Sequence, residues 1–112
     1  MFTEDLKDHI LKEANNRCKG TLVSTLGIIF TDVGENFLEA KMKVTSDLHQ
    51  PAGVLHGGAT AALAETVGSS AAAIFSMKKH QMLRGIELSI NHVRGISEGY
   101  VFAKATPVHM GK

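Results

Sequence analysis

The chain has 112 residues, 44% of them hydrophobic and 21% charged, with twelve basic against eleven acidic side chains and a formal net charge of +1. That length makes one domain, which buries roughly two-thirds of the surface its unfolded form exposes. Near-neutral charge with no block of like sign argues against a nucleic-acid stripe or a membrane-surface patch, and the single cysteine, Cys18, excludes an internal disulfide framework.

The opening residues, MFTEDLKDHI, put acids where a secretory signal carries bases and then an apolar run, so no targeting segment is read and a cytoplasmic location is expected. Phe2, Leu6, Ile10 and Ala14 recur at the spacing of one helix face, with Thr3 as N-cap, Glu4 and Asp5 in the first turn, and Gly20 as the stop. Residues 21–31 are rich in β-branched and aromatic side chains and predict a strand. After a turn at residues 32–36, Leu38, Ala40, Met42 and Val44 alternate with Glu39, Lys41 and Lys43, which predicts the second strand of a hairpin. Residues 46–53 read as a loop, and the chain turns helical after His56 through about Ser76. A strand over 86–93, a turn over 95–99 and a strand over 100–109 follow. Helix, hairpin, long central helix and hairpin make an α+β domain with an antiparallel sheet. The one stretch long enough for a membrane span, residues 51–77, is interrupted by four glycines, several hydroxyls, His56 and Glu65. No membrane partner is expected.

Glu65 is the only formally charged side chain between Gln50 and Ile74. Advancing about 100° per residue puts Leu63, Val67 and Ile74 opposite it, as the stripe that packs on the sheet. Gly58, Ala61, Ala62, Gly68, Ser69 and Ala72 fall on the Glu65 side, where a solvated helix normally carries long polar side chains. A tolerated exposed acid on an alanine-rich helix explains Glu65 alone. The residues that open the helix add more. Gly57 and Gly58 expose first-turn N–H groups at the positive end of the helix dipole, where anions and oxyanions bind, and glycine permits close approach. Gln50 and His56 bring neutral hydrogen-bonding groups on the entering loop. Such an arrangement can polarise a carbonyl at Gly57 and present a carboxylate, about two turns further on, as nucleophile or general base.

Other chemistries find less support. The six histidines (His9, His49, His56, His80, His92 and His109) match no HExxH or Cys/His spacing, so no metal is expected, and Gly57-Gly58 lacks the GxxxxGK[ST] pattern of a nucleotide loop.

The run Gln50-Pro-x-Gly-x-Leu-His56-Gly57-Gly58 followed by Leu-Ala-Glu65-Thr-Val-Gly68-Ser69 resembles the hotdog-fold acyl-CoA thioesterases. The branch is that of the phenylacetate-pathway, helix-glutamate 4-hydroxybenzoyl-CoA and 1,4-dihydroxy-2-naphthoyl-CoA thioesterases. The likeness extends from Gly20-Thr21 through ELSINHVRGISEG to PVHMGK. It implies a long central helix wrapped by a curved antiparallel sheet, residues 1–112 forming one hotdog domain. It also implies a homodimer with shared active sites that assembles into a homotetramer. Relatives continue past the stretch matching HMGK by about two strands, so the C-terminal strands are expected to be missing from this chain.

By that resemblance, Glu65 of one chain faces Gln50, His56 and Gly57 of its partner. The Gly57 N–H takes the thioester oxygen, Glu65 attacks the carbonyl or activates water, Gln50 and His56 orient the reacting groups, and Ser69 hydrogen-bonds near the carboxylate or acyl ring. The acyl-CoA substrate is expected to meet Gly58, His92, Arg94, His109, Gly111 and Lys112, the last four near the CoA phosphates. The implied activity is hydrolysis of an aryl-CoA or short-to-medium acyl-CoA, without a cofactor. A non-catalytic acyl-CoA-binding hotdog protein and a hotdog enoyl-thioester hydratase or dehydratase are the alternatives.

Overall fold

The computed structural model describes residues 2–76 and 82–110, with the backbone alone at Met82, Leu83, His109 and Met110. Helix α1 (Glu4–Arg17) starts where the sequence says it should: the Thr3 hydroxyl accepts the Leu6 N–H at 3.1 Å, and Glu4 and Asp5 lie at the positive end of the dipole. Beyond Cys18 the chain does not enter a strand. Thr21, in extended conformation, accepts the Val23 N–H at 3.2 Å and caps a single helical turn, α2 (Leu22–Thr25). The expected strand over 21–31 is therefore displaced to β1 (Ile28–Gly34), which runs on into the expected turn at 32–36 and pairs with β2 (Phe37–Val44). A hydroxyl in capping position outweighed the β-propensity of its neighbours.

After a short 3₁₀ turn, Ser46–Leu48, comes α3 (Gly57–Phe75); β3 (Met82–Val93) and β4 (Gly99–Met110) complete the elements. The described sheet has strand order β1-β2-β4-β3, every pair antiparallel. Leu38, Ala40, Met42 and Val44 of β2 are buried on the same face as Val101, Ala103 and Ala105 of β4. That face curves over α3, which lies against β2, β3 and β4. The helix buries the row Ala59, Leu63, Val67, Ala71 and Phe75. Each successive member is four residues on, so the row slants across the helix instead of running straight up it. Leu63 and Val67 are in the core as expected; Ile74 is only half-buried and turns toward α1.

Asn15 ties α1 to the edge of the sheet. Its side-chain amide donates to the Phe30 carbonyl oxygen at 3.1 Å, and its Oδ1 accepts the Phe30 N–H at 2.9 Å. The residue thus takes the place of a neighbouring strand at the start of the β1 bulge between Phe30 and Asp32.

Candidate active site

The start of α3 is built around His56. Its backbone is extended, at φ −68° and ψ 133°, and its Nδ1 accepts the Gly58 N–H at 2.7 Å. The Ala59 and Thr60 N–H groups donate to the His56 carbonyl at 3.0 and 3.4 Å. Of the first four amides of the helix, Gly57 N–H alone has no partner among the described residues. Because Nδ1 is the acceptor, the ring's N–H is on Nε2, and the ring is exposed at the same helix end as the unpaired amide. A Cβ at Gly58 would lie 2.9 Å from His56 Nδ1 and 3.0 Å from Cε1, so glycine makes room for the ring. At Gly57 a Cβ meets nothing within 4 Å, and that backbone is open to an incoming group.

The loop before the helix folds on itself and on the β3–β4 turn. Gln50 N–H donates to the Val54 carbonyl at 2.8 Å, Gly53 N–H donates back to the Gln50 carbonyl at 2.9 Å, and the half-buried Gln50 side chain accepts the Ala52 N–H at 2.5 Å. Gly53, at φ +83°, takes a backbone conformation that other residues seldom adopt. Leu55 N–H donates to the Ile96 carbonyl at 2.7 Å, and His49 Nε2 lies 3.0 Å from the Ser97 carbonyl. These bonds hold the turn that carries Arg94 against the loop that carries Gln50 and His56. Arg94 is exposed in a left-handed conformation, φ 75°, and shares a depression of about 520 Å³ with Lys43 and Tyr100.

Two turns into α3, Ser69 Oγ donates to Glu65 Oε2 at 2.6 Å. Both side chains are exposed and line a groove of about 450 Å³ between α3 and β3, with Ala61, Gly68, Ala72 and Leu88 among its walls. A short hydrogen bond from a hydroxyl fixes the carboxylate rotamer and leaves its other oxygen for chemistry. The small-residue face expected from the sequence is therefore real, with β3 closing one side of it. A Cβ at Gly68 would already be 3.6 Å from Leu88 Cδ1.

Within one chain these parts form two groups. Gln50, His56, Gly57 and Gly58 gather at the N-terminal end of α3, with Arg94 on the turn bonded to that loop, while Glu65 and Ser69 stand apart. Eight residues separate Gly57 from Glu65, about 12 Å along the helix axis. His92 is exposed on β3, opposite Val101. The His109 side chain, Gly111 and Lys112 lie outside the described residues. No three His, Cys, Asp or Glu side chains gather to hold a metal among the described residues, and none of the described helices is long and apolar enough to cross a membrane. The sequence reading misses a cavity of about 430 Å³ between α1 and α3, bounded by Arg17, Cys18, Phe30, Ser69 and Ala73. Its walls come from four elements, so no single spacing could have pointed to it.

Comparison with known proteins gives this geometry its context. Residues 52–112 match the model of the thioesterase superfamily. The chain is 45% identical over 107 residues to the proofreading thioesterase EntH of Cronobacter sakazakii, covering 95% of this chain and 77% of that protein. Among solved structures it is similar to thioesterase HI1161 of Haemophilus influenzae, at 40% identity and a TM-score of 0.70 over 91% of this chain and 71% of the other. A mutant of thioesterase PA1618 from Pseudomonas aeruginosa gives 37% identity and a TM-score of 0.70 over 91% and 73%. With a long helix under a curved antiparallel sheet and relatives of this kind, the chain belongs to the thioesterase superfamily, as a hotdog-fold thioester hydrolase.

Proposed function

We propose that the protein hydrolyses the thioester of an aryl-CoA or short-to-medium acyl-CoA, releasing the free acid and CoA, in a site shared between two copies of the chain. The observation that carries this reading is the unpaired Gly57 N–H at the start of α3, next to a His56 whose Nδ1 is already taken by the Gly58 N–H. The thioester oxygen takes its bond from the Gly57 amide, with the His56 ring and the Gln50 amide group orienting the carbonyl and the leaving group. Glu65 either adds to the carbonyl carbon, forming an anhydride that water then opens, or takes a proton from the water that adds. In both routes the C–S bond breaks and the CoA thiolate leaves, to be protonated by solvent. Preorganised donors at the developing oxyanion are worth about 10²- to 10³-fold in rate each.

The sharing follows from length. A carboxylate must come within about 3–3.5 Å of the reacting atoms. A carbonyl held at Gly57 lies too far along the helix for the same chain's Glu65, about 12 Å by the rise per residue. Two α3 helices lying antiparallel about a two-fold axis near Ala61 bring each Gly57 opposite the other chain's Glu65. The exposed Gly58 and Ala61 favour such an approach. Arg94, held on the same loop cluster as Gln50 and His56, suits the CoA phosphates on the Gly57 side.

The relative named a proofreading thioesterase suggests testing a broad panel in place of one dedicated substrate. The test is thiol release over a panel of acyl-CoAs, with Glu65→Gln alongside. Turnover in the wild type, lost by about 10³-fold or more in the variant, is expected. Unchanged turnover in Glu65→Gln removes the carboxylate from the mechanism. CoA binding without release of thiol favours a binding protein, and hydration of an enoyl-CoA on the same panel favours the hydratase reading.

A further inference from the structure

Ser69 faces two spaces. On one side it lines the Glu65 groove, and on the other it lines the cavity of about 430 Å³ between α1 and α3. An engineered cavity of about 150 Å³ already holds benzene, so this one has room for a six-carbon acyl chain or a substituted ring. Its floor is apolar, with Phe30 buried at 3% exposure and Ile74 and Val23 half-buried. Its rim is not. Arg17, exposed at the end of α1, has no acidic partner among the described residues. The Ser70 hydroxyl makes no hydrogen bond among them either. The other polar rim groups are satisfied: Thr21 Oγ1 donates to the Cys18 carbonyl at 2.6 Å, and Cys18 Sγ donates to the Ala14 carbonyl at 3.2 Å.

We infer that this cavity seats the acyl group of the substrate, and that Arg17 selects acyl groups ending in a carboxylate, that is, the mono-thioesters of dicarboxylic acids. The inference rests on the hydrolytic reading of Glu65. With the carbonyl at Glu65 the acyl chain passes Ser69, crosses the apolar floor and meets the guanidinium, whose planar fork pairs with a carboxylate through two parallel hydrogen bonds. An uncharged chain fills the same floor and leaves that fork to water. Arg17 also lies where a cation suits the negative end of the α1 dipole, so the decisive readout is selectivity and not stability.

The experiment compares kcat/KM for adipyl-CoA and hexanoyl-CoA, six-carbon acyl groups that differ in the remote carboxylate. Wild-type protein is expected to favour adipyl-CoA. Arg17→Gln lowers the adipyl-to-hexanoyl ratio by about five- to tenfold, the worth of a charge-assisted bond discounted for exposure. Arg17→Glu takes the ratio below that of Arg17→Gln. Ala73→Leu, which narrows the cavity, lowers both six-carbon substrates against acetyl-CoA, with its folded state checked by circular dichroism. A wild-type ratio at or below one, or a ratio unmoved by both Arg17 variants, overturns the assignment. Glu65→Gln separates the two readings: if it abolishes turnover while the Arg17 ratio stays fixed, only the acyl-pocket inference falls. If Glu65→Gln retains turnover, the hydrolytic reading beneath it falls.

Discussion

Gly57→Pro isolates one hydrogen atom. Proline is favoured at the first position of a helix, where its missing N–H has no intrahelical partner, and it requires an extended residue before it. His56 is extended, and a Cβ at Gly57 meets no atom within 4 Å. The variant should therefore fold with its melting temperature nearly unchanged and lose about 10²- to 10³-fold in kcat with the oxyanion donor. In the proposed mechanism Glu65→Gln disables the other half of the site. If the two halves come from different chains, a mixed dimer of the variants holds one site with both defects and one with neither. Equal mixing makes half the dimers mixed and restores about a quarter of the wild-type sites. The assay is thiol release before and after subunit exchange, with exchange itself verified by two differently tagged chains. If Gly57 and Glu65 of one chain act together, every site in the mixture keeps at least one defect. Mixed dimers that form without recovering activity would refute the shared site, and with it the reasoning from the 12 Å separation.

Three further outcomes follow from named contacts. His56→Ala removes the acceptor for the Gly58 N–H and should cost about 1 kcal/mol of stability, whereas His56→Asn keeps a capping oxygen and recovers most of that without recovering the rate; denaturant midpoints and kcat for both variants check it. Asn15→Ala strips two hydrogen bonds from the Phe30 backbone at the sheet edge and should cost about 1–3 kcal/mol, visible in urea unfolding. Leu63→Ala opens a cavity in the fully buried row under the sheet and should cost about 2–5 kcal/mol, against a fraction of that for Ala61→Ser on the exposed face. Equal losses at positions 61 and 63 would show that the burial of the two faces is misjudged.

What the sequence made legible was periodic. Alternation along β2, the capping hydroxyl of Thr3 and the lone Glu65 among small residues each carry a local signal, and each appears in the structure where it was expected. Segment 21–27 failed because its β-branched residues and its helix-capping threonine point opposite ways, and no spacing in the sequence weighs one against the other. Ala71 and Phe75 were overlooked in the core since a helix crossing a sheet obliquely buries a slanted row, and the crossing angle is a tertiary property. At the site, the place of Gly57 at the helix start and of Glu65 on a small-residue face was readable, but two facts needed coordinates. His56 is committed through Nδ1 to Gly58, which fixes its tautomer, and the Arg94 turn is bonded to the Gln50 loop through Leu55 and His49. Hydrogen bonds between segments some forty residues apart leave no spacing to find.

The strand order β1-β2-β4-β3 has a kinetic consequence. Each hairpin closes over a handful of residues, but the sheet becomes one only when β2 meets β4, pairing Ala40 with Ala103 across the whole of α3. Such long closures carry the entropy cost before any contact rewards it, and they slow folding. The β2–β4 seam is therefore where the transition state should be under construction. A methyl removed there, by Ala103→Gly, should slow refolding, while Ile29→Val, on the exposed side of β1, should leave the refolding limb nearly untouched. Stopped-flow refolding that ranks the two the other way would move the rate-limiting event into a hairpin. If the seam does form last, α3 gains its cover from β2 only in chains that have already joined their two halves.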